Sequence, residues 1–151
     1  MEIRKILVPV DFSEHSQHAL DVAVSLAEHF SAEVMLFHCY PLPIPSLASV
    51  PYGSVTPESY VEAIRTAALQ RLMQWRDKVR AQGVRAEAQV GAGAPSREIS
   101  ALAEEIGADL IVIGTRGLGG LEHVLLGSVA ERTIRIAPCP VLTVKLGADA
   151  R

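Results

Sequence analysis

The chain has 151 residues, 49 % of them apolar and 21 % charged, with a net charge of −3. That length and composition suit one soluble domain with a sizeable core and exclude a disordered chain. Without a Lys/Arg-rich run the chain lacks the clustered cations of a nucleic-acid surface, and no apolar run approaches the roughly 20 residues of a membrane span.

The N-terminus shows no long apolar segment with a small-residue cleavage site, so a cytoplasmic protein is expected. Cys39 and Cys139 stand in neither a CxxC nor a zinc spacing and read as two reduced, buried thiols. Residues 3–10 (IRKILVPV) form a nearly continuous apolar run, the signature of a strand covered on both faces. Pro9 falls near its end, where a lost ladder donor costs least. Asp11 follows, then Ser13 as helix N-cap and Glu14 in the first turn. The expected helix, 14–30, places Leu20, Ala23, Ala27 and Phe30 on one face. A second buried strand is expected over 33–39 (EVMLFHC).

The segment 40–57 carries five of the nine prolines and reads as a Pro-rich surface loop. A long helix opens at Pro57-Glu58 and ends near Gly83, which suits the left-handed position after a helix. Its apolar stripe is Val61, Ile64, Ala68, Leu72, Trp75 and Val79. Residues 84–90 (VRAEAQV) alternate, as in a strand with one wetter face at a sheet edge. Pro95 opens the next helix at its first position, with Ile99, Leu102, Ala103 and Ile106 as the apolar face and Gly107 as the stop. A buried strand over 109–113 (DLIVI) then breaks at Gly114. Glycines recur at 117, 119 and 120, and Gly127-Ser128 starts a helix over 128–136. The last strand is 141–145 (VLTVK).

Regular alternation of short buried strands with helices predicts an α/β fold: a single-domain, doubly wound, five-stranded parallel sheet with helices on both faces, spanning 1–151. Ligands of such sheets bind at the carboxyl ends of the strands that flank the reversal of winding. The first and fourth strands carry unusual residues there, Asp11 on one and the glycines on the other. A strand that opens through glycines into a helix start is suited to phosphate, because glycine admits close backbone approach and the helix N-terminus offers unpaired donors. Asp11 is expected at that crevice rather than as a mere cap. Arg116 lies within the loop and is as readily solvated as turned to phosphate. His15 and His18 share a helix face but lack a third ligand in the sequence, so no metal site is assigned to them. No P-loop, GxSxG or HExxH motif is present. No general base stands beside the glycine loop, so no catalytic residue is assigned.

The spacing Gly114-x2-Gly117-x9-Gly127-Ser128 resembles the nucleotide-binding signature of the universal stress protein family. VPVDFSEHS, the GAP turn at 93–95, DLIVIGTRG and LLGSVAER…APCPVLTV are similar to that family in the same order. The resemblance, to its ATP-binding branch, implies that Gly114, Gly117, Gly127, Ser128 and the Val129 N–H hold a triphosphate. It further implies that Asp11 meets the ribose hydroxyls and that Pro9, Val10 and Ile113 line the adenine slot. Cys39 stands where the family commonly contacts adenine through the backbone of an aliphatic residue. Glu122 and His123 stand where relatives carry a basic residue, so Mg²⁺ or Mn²⁺ accompanying the phosphates would supply the missing charge. The resemblance implies a Rossmann-like domain, an ATP-binding stress-response regulator, and a homodimer formed through the strand 141–145. An unidentified protein partner would read nucleotide occupancy. A slow ATPase or phosphotransferase, and a nucleotide-free dimeric interaction module, are the alternatives.

Overall fold

The computed structural model describes residues 2–42, 57–117 and 126–147. Most of the Pro-rich segment, together with Gly119, Gly120, Glu122 and His123, lies outside the described residues. Among the described residues five strands, β1 (Lys5–Pro9), β2 (Glu33–Tyr40), β3 (Ala86–Ala92), β4 (Leu110–Gly114) and β5 (Val141–Val144), alternate with four helices. The helices are α1 (Glu14–Phe30), α2 (Pro57–Ala81), α3 (Pro95–Ile106) and α4 (Ser128–Ile136). All strand pairs are parallel, in the order β3-β2-β1-β4-β5. The winding reverses between β1 and β4, which gives the expected doubly wound sheet.

Strand alternation sorts the core into two layers. Ile6, Val8, Val34, Leu36 and Val112 face α1 and α2, where they meet Ala19, Ala23, Leu72 and Val79. Leu7, Phe37, Ile111 and Ile113 face the other side and meet Ile99, Leu102 and Ala103 of α3 and Ala130 of α4. Ser13 caps α1 by accepting a hydrogen bond from the Ser16 N–H.

Pro9 helps to open the ligand end of the sheet. Residues of a parallel strand bond their two neighbours alternately. Val10 donates to Phe37 O of β2 at 2.7 Å, so the N–H that Pro9 lacks is the one that would have reached β4. Pairing of β1 with β4 is confined to Ile6↔Leu110 and Leu7↔Ile111, whereas pairing with β2 continues to Pro9↔Phe37. Beyond Leu7 the two central strands part.

Four expectations from the sequence are corrected. Phe30 is 42 % exposed rather than buried. Ser31 takes the left-handed C-cap conformation, the chain turns, and Ala32 fills the core instead. Tyr40 is buried and closes β2 opposite Ala92, so the strand reaches one residue into the segment expected as loop. β3 starts at Ala86 and runs two residues further than expected. Gly91 admits the Phe37 ring, which would stand 2.8 Å from a Cβ there. The apolar stripe of α2 is fully buried only at Leu72 and Val79, with Val61, Ile64, Ala68 and Trp75 half-buried. A helix of 25 residues is ~37 Å long and overruns strands of ~23 Å.

Candidate functional site

The parting of β1 and β4 forms a cavity of about 560 Å³ at the carboxyl end of the sheet. That volume is in the range of small-molecule sites. Pro9, Val10 and Asp11 line it from β1 and its exit, and Cys39 from β2. Ile113, Gly114, Arg116 and Gly117 come from β4 and its exit, and Gly127, Ser128 and Val129 from the start of α4. All eleven candidate residues therefore face one space. Six more wall residues escape a reading of the sequence: Ser16, Phe37, Pro95, Ile99, Thr115 and Ala130. Phe37 carries a usable signal, since it lies two residues before Cys39 and so on the same face of β2.

The wall of the cavity combines two chemistries. One is apolar, with Pro9, Phe37, Cys39, Pro95, Ile99 and Ile113. The other is the N-terminus of α4. Its N-cap is Gly127, which makes no side-chain cap bond. The first helical bond runs from the Glu131 N–H to Gly127 O. The N–H groups of Ser128, Val129 and Ala130 thus have no partner within the helix. They carry the partial positive charge of the helix dipole.

The glycines contribute mainly space. A Cβ on Gly114 would stand 2.9 Å from the His15 carbonyl oxygen, so α1 crosses β4 in direct backbone contact. A Cβ on Gly117 would collide with Asp11 Oδ2. The Gly127 N–H donates to Thr115 O at 2.6 Å. Its N–H is therefore already bonded in this structure, and Gly127 stands on the cavity wall. The open donors at this end are those one to three residues further on.

Asp11 stands both at the cap of α1 and on the crevice wall. Its Oδ1 accepts from the Ser13 N–H at 3.0 Å and from the Ser13 hydroxyl, which braces the cap of α1. Its Oδ2 faces Gly117 across the crevice. Asp11 and Arg116 are the charged side chains on the described wall. The Thr115 hydroxyl oxygen, in a residue 8 % exposed, is buried without a hydrogen-bond partner. A buried polar atom left unpaired at a cavity wall fits a site that takes a polar ligand.

Cys39 donates weakly to Gly93 O at 3.5 Å. Burial, and then the Glu98 carboxylate, push its thiol up to about 11. At neutral pH it is an unreactive thiol that packs as an apolar wall atom. Burial raises Cys139 as well, with Asp109 adding to the effect, and the two cysteines are unpaired. Among the described residues no group of three or more His, Cys, Asp or Glu could hold a metal ion. No described helix is long and apolar enough to cross a membrane.

The family model for the universal stress protein family matches residues 2–145. The chain is 36 % identical over 145 residues to universal stress protein YxiE of Bacillus subtilis, covering 93 % of this chain and 98 % of that one. In structure it is similar to UspA of Lactobacillus plantarum, with a TM-score of 0.80, 25 % identity, and 95 % and 99 % of the two chains covered. It is also similar to a universal stress protein in complex with cAMP, with a TM-score of 0.67, 27 % identity, and 97 % and 100 % covered. A universal stress protein from Archaeoglobus fulgidus in complex with dAMP gives a TM-score of 0.66, 26 % identity, and 96 % and 100 % covered.

Proposed function

The chain belongs to the universal stress protein family, and we propose that this member is a cytoplasmic regulatory protein that holds ATP, with Mg²⁺ or Mn²⁺ on its phosphates, between β1 and β4. The observation that carries this reading is the N-terminus of α4, without a side-chain cap, lining one cavity together with apolar residues. An anion belongs at the helix N-terminus and a flat apolar ring against the apolar wall. The Ser128, Val129 and Ala130 N–H groups and the Ser128 hydroxyl would take the phosphates, with Gly117 giving room. Asp11 Oδ2 would accept from a ribose hydroxyl, since a carboxylate only accepts. Pro9, Val10, Ile113 and Cys39 would enclose the purine. The cAMP and dAMP complexes of similar proteins support an adenine nucleotide.

With Asp11 and Arg116 as the charged residues of the described wall, that wall offers little acid–base machinery. Asp11 also holds Ser13. The nucleotide is therefore held, and its presence regulates. We expect freshly purified protein to release an adenine nucleotide on denaturation, detected by chromatography, or to bind Mg-ATP in calorimetry. Asp11→Ala should weaken that binding about tenfold, the cost of one charge-assisted bond. No released nucleotide and no binding heat would overturn the reading.

The same proposal includes a homodimer through 141–145. Leu142 is 39 % exposed on β5, an edge strand, and Ile134 and Ile136 of α4 are exposed nearby in the sequence. An uncovered apolar edge invites pairing, most simply across a two-fold axis. Sedimentation velocity should show a dimer for the wild type and a monomer for Leu142→Asp; a wild-type monomer at all concentrations sinks the dimer.

A further inference from the structure

Phe12 has φ 65°, one of two non-glycine residues with positive φ among those described. A bulky residue adopts the left-handed region only when its surroundings impose it. Here the ring is gripped on several sides. His38 lies tilted against it at 4.7 Å between centroids, and Trp75 meets it edge-on at 5.3 Å. The Arg71 guanidinium sits over the ring at 4.2 Å, a cation–π geometry. His38 comes from β2, and Trp75 and Arg71 from α2. None of the three lines the crevice.

What the kink holds is the site. It reverses the chain between Val10 and Ser13, so that Asp11 Oδ1 can brace Ser13 while Oδ2 faces Gly117. The His38 ring fixes the preceding residue: its Nδ1 lies 2.7 Å from Val10 O. A carbonyl can only accept, so Nδ1 carries the proton. Val10 and Asp11 are wall residues; Phe12, next in the chain, is turned into the layer of α1 and α2.

We propose that Phe12 is a positioning residue that sets the Asp11 carboxylate through its left-handed backbone and, through its ring, couples nucleotide in the crevice to Trp75 and Arg71 of α2. The inference rests on the nucleotide reading above and adds its output element. Coupling is reciprocal: a partner that shifts α2 changes nucleotide affinity by the factor by which nucleotide changes the partner's.

Trp75 is the only tryptophan, so the wild-type chain carries its own reporter. Excited where adenine does not absorb, Trp75 emission should change during a Mg-ATP titration and saturate at the Kd found by calorimetry. Phe12→Gly keeps the left-handed backbone accessible and removes the ring, so it should retain binding within about threefold while losing the emission change. Phe12→Ala loses the ring and strains the backbone, so it should bind about fivefold or more weaker than the glycine variant. Alanine worse than glycine is the reverse of simple side-chain truncation. Calorimetric binding without any change in wild-type Trp75 emission would overturn the coupling, and needs no variant to fold. Equal affinities of the alanine variant and the wild type would overturn the positioning role. Absence of any ATP binding by the wild type would overturn the nucleotide reading, and this inference with it.

Discussion

Ser128→Glu is expected to weaken Mg-ATP binding about tenfold or more while making the protein slightly more stable. The two effects share one cause. Ser128 is the first residue of α4, which begins without a side-chain cap. An acidic residue there complements the helix dipole, worth ~0.3–1 kcal/mol, or a rise in Tm of ~1–4 °C for a chain of this size. The same charge is placed where the phosphates are proposed to sit. Two unit charges 4 Å apart interact by about 4 kcal/mol at an effective dielectric near 20, well above the 1.4 kcal/mol that makes a tenfold change. Ser128 is an exposed residue of the crevice wall, so glutamate fits without repacking the core. Calorimetric Kd and scanning Tm together make the test. A Tm that rises while binding stays within about twofold of wild type would place the anion somewhere other than α4.

The order of elements is legible because each depends on short-range chemistry. IRKILVPV and DLIVI read as strands buried on both faces, and Ser13, Pro95 and Gly107 mark helix ends by their own hydrogen bonding and conformation. The neighbourhood of the first and fourth strands is only suggested by Asp11 and Gly114 at the carboxyl ends where such folds place ligands, and the structure pairs β1 with β4. What escapes depends on long-range fit. Phenylalanine has no preference for the left-handed region, so nothing local marks Phe12. Its conformation rests on Trp75 and Arg71, about sixty residues downstream. Gly127 reads as a phosphate donor because glycine and a helix start coincide there. Only the structure shows that Thr115 O takes its N–H. Phe30 continues the helical stripe in period, yet the stripe outlasts the surface it could cover.

Gly114→Ala should destabilise the chain by ~1–3 kcal/mol, the usual cost of overpacking a tight contact, and weaken nucleotide binding as well. The added Cβ would lie 2.9 Å from His15 O and 3.0 Å from His15 C. Both are backbone atoms of the first turn of α1, so no side chain can rotate away. Gly114 cannot retreat either: it closes β4, paired with Val144 of β5, and the next residue donates from its N–H to Val144 O at 2.9 Å. The strain must move α1. That helix is capped by Ser13, whose N–H and hydroxyl both bond Asp11 Oδ1. A shift of the first turn therefore carries the Asp11 carboxylate with it, although Gly114 and Asp11 are over a hundred residues apart in the chain. Gly107→Ala is the comparison. Gly107 has φ 61°, and an added Cβ there would meet nothing within 4 Å. It should lose about 1 kcal/mol through backbone conformation alone and bind nucleotide normally. Urea unfolding and calorimetry on the two variants separate the effects. Equal losses of stability with unchanged affinity in both would show that the approach of α1 to β4 does not set the geometry of the crevice.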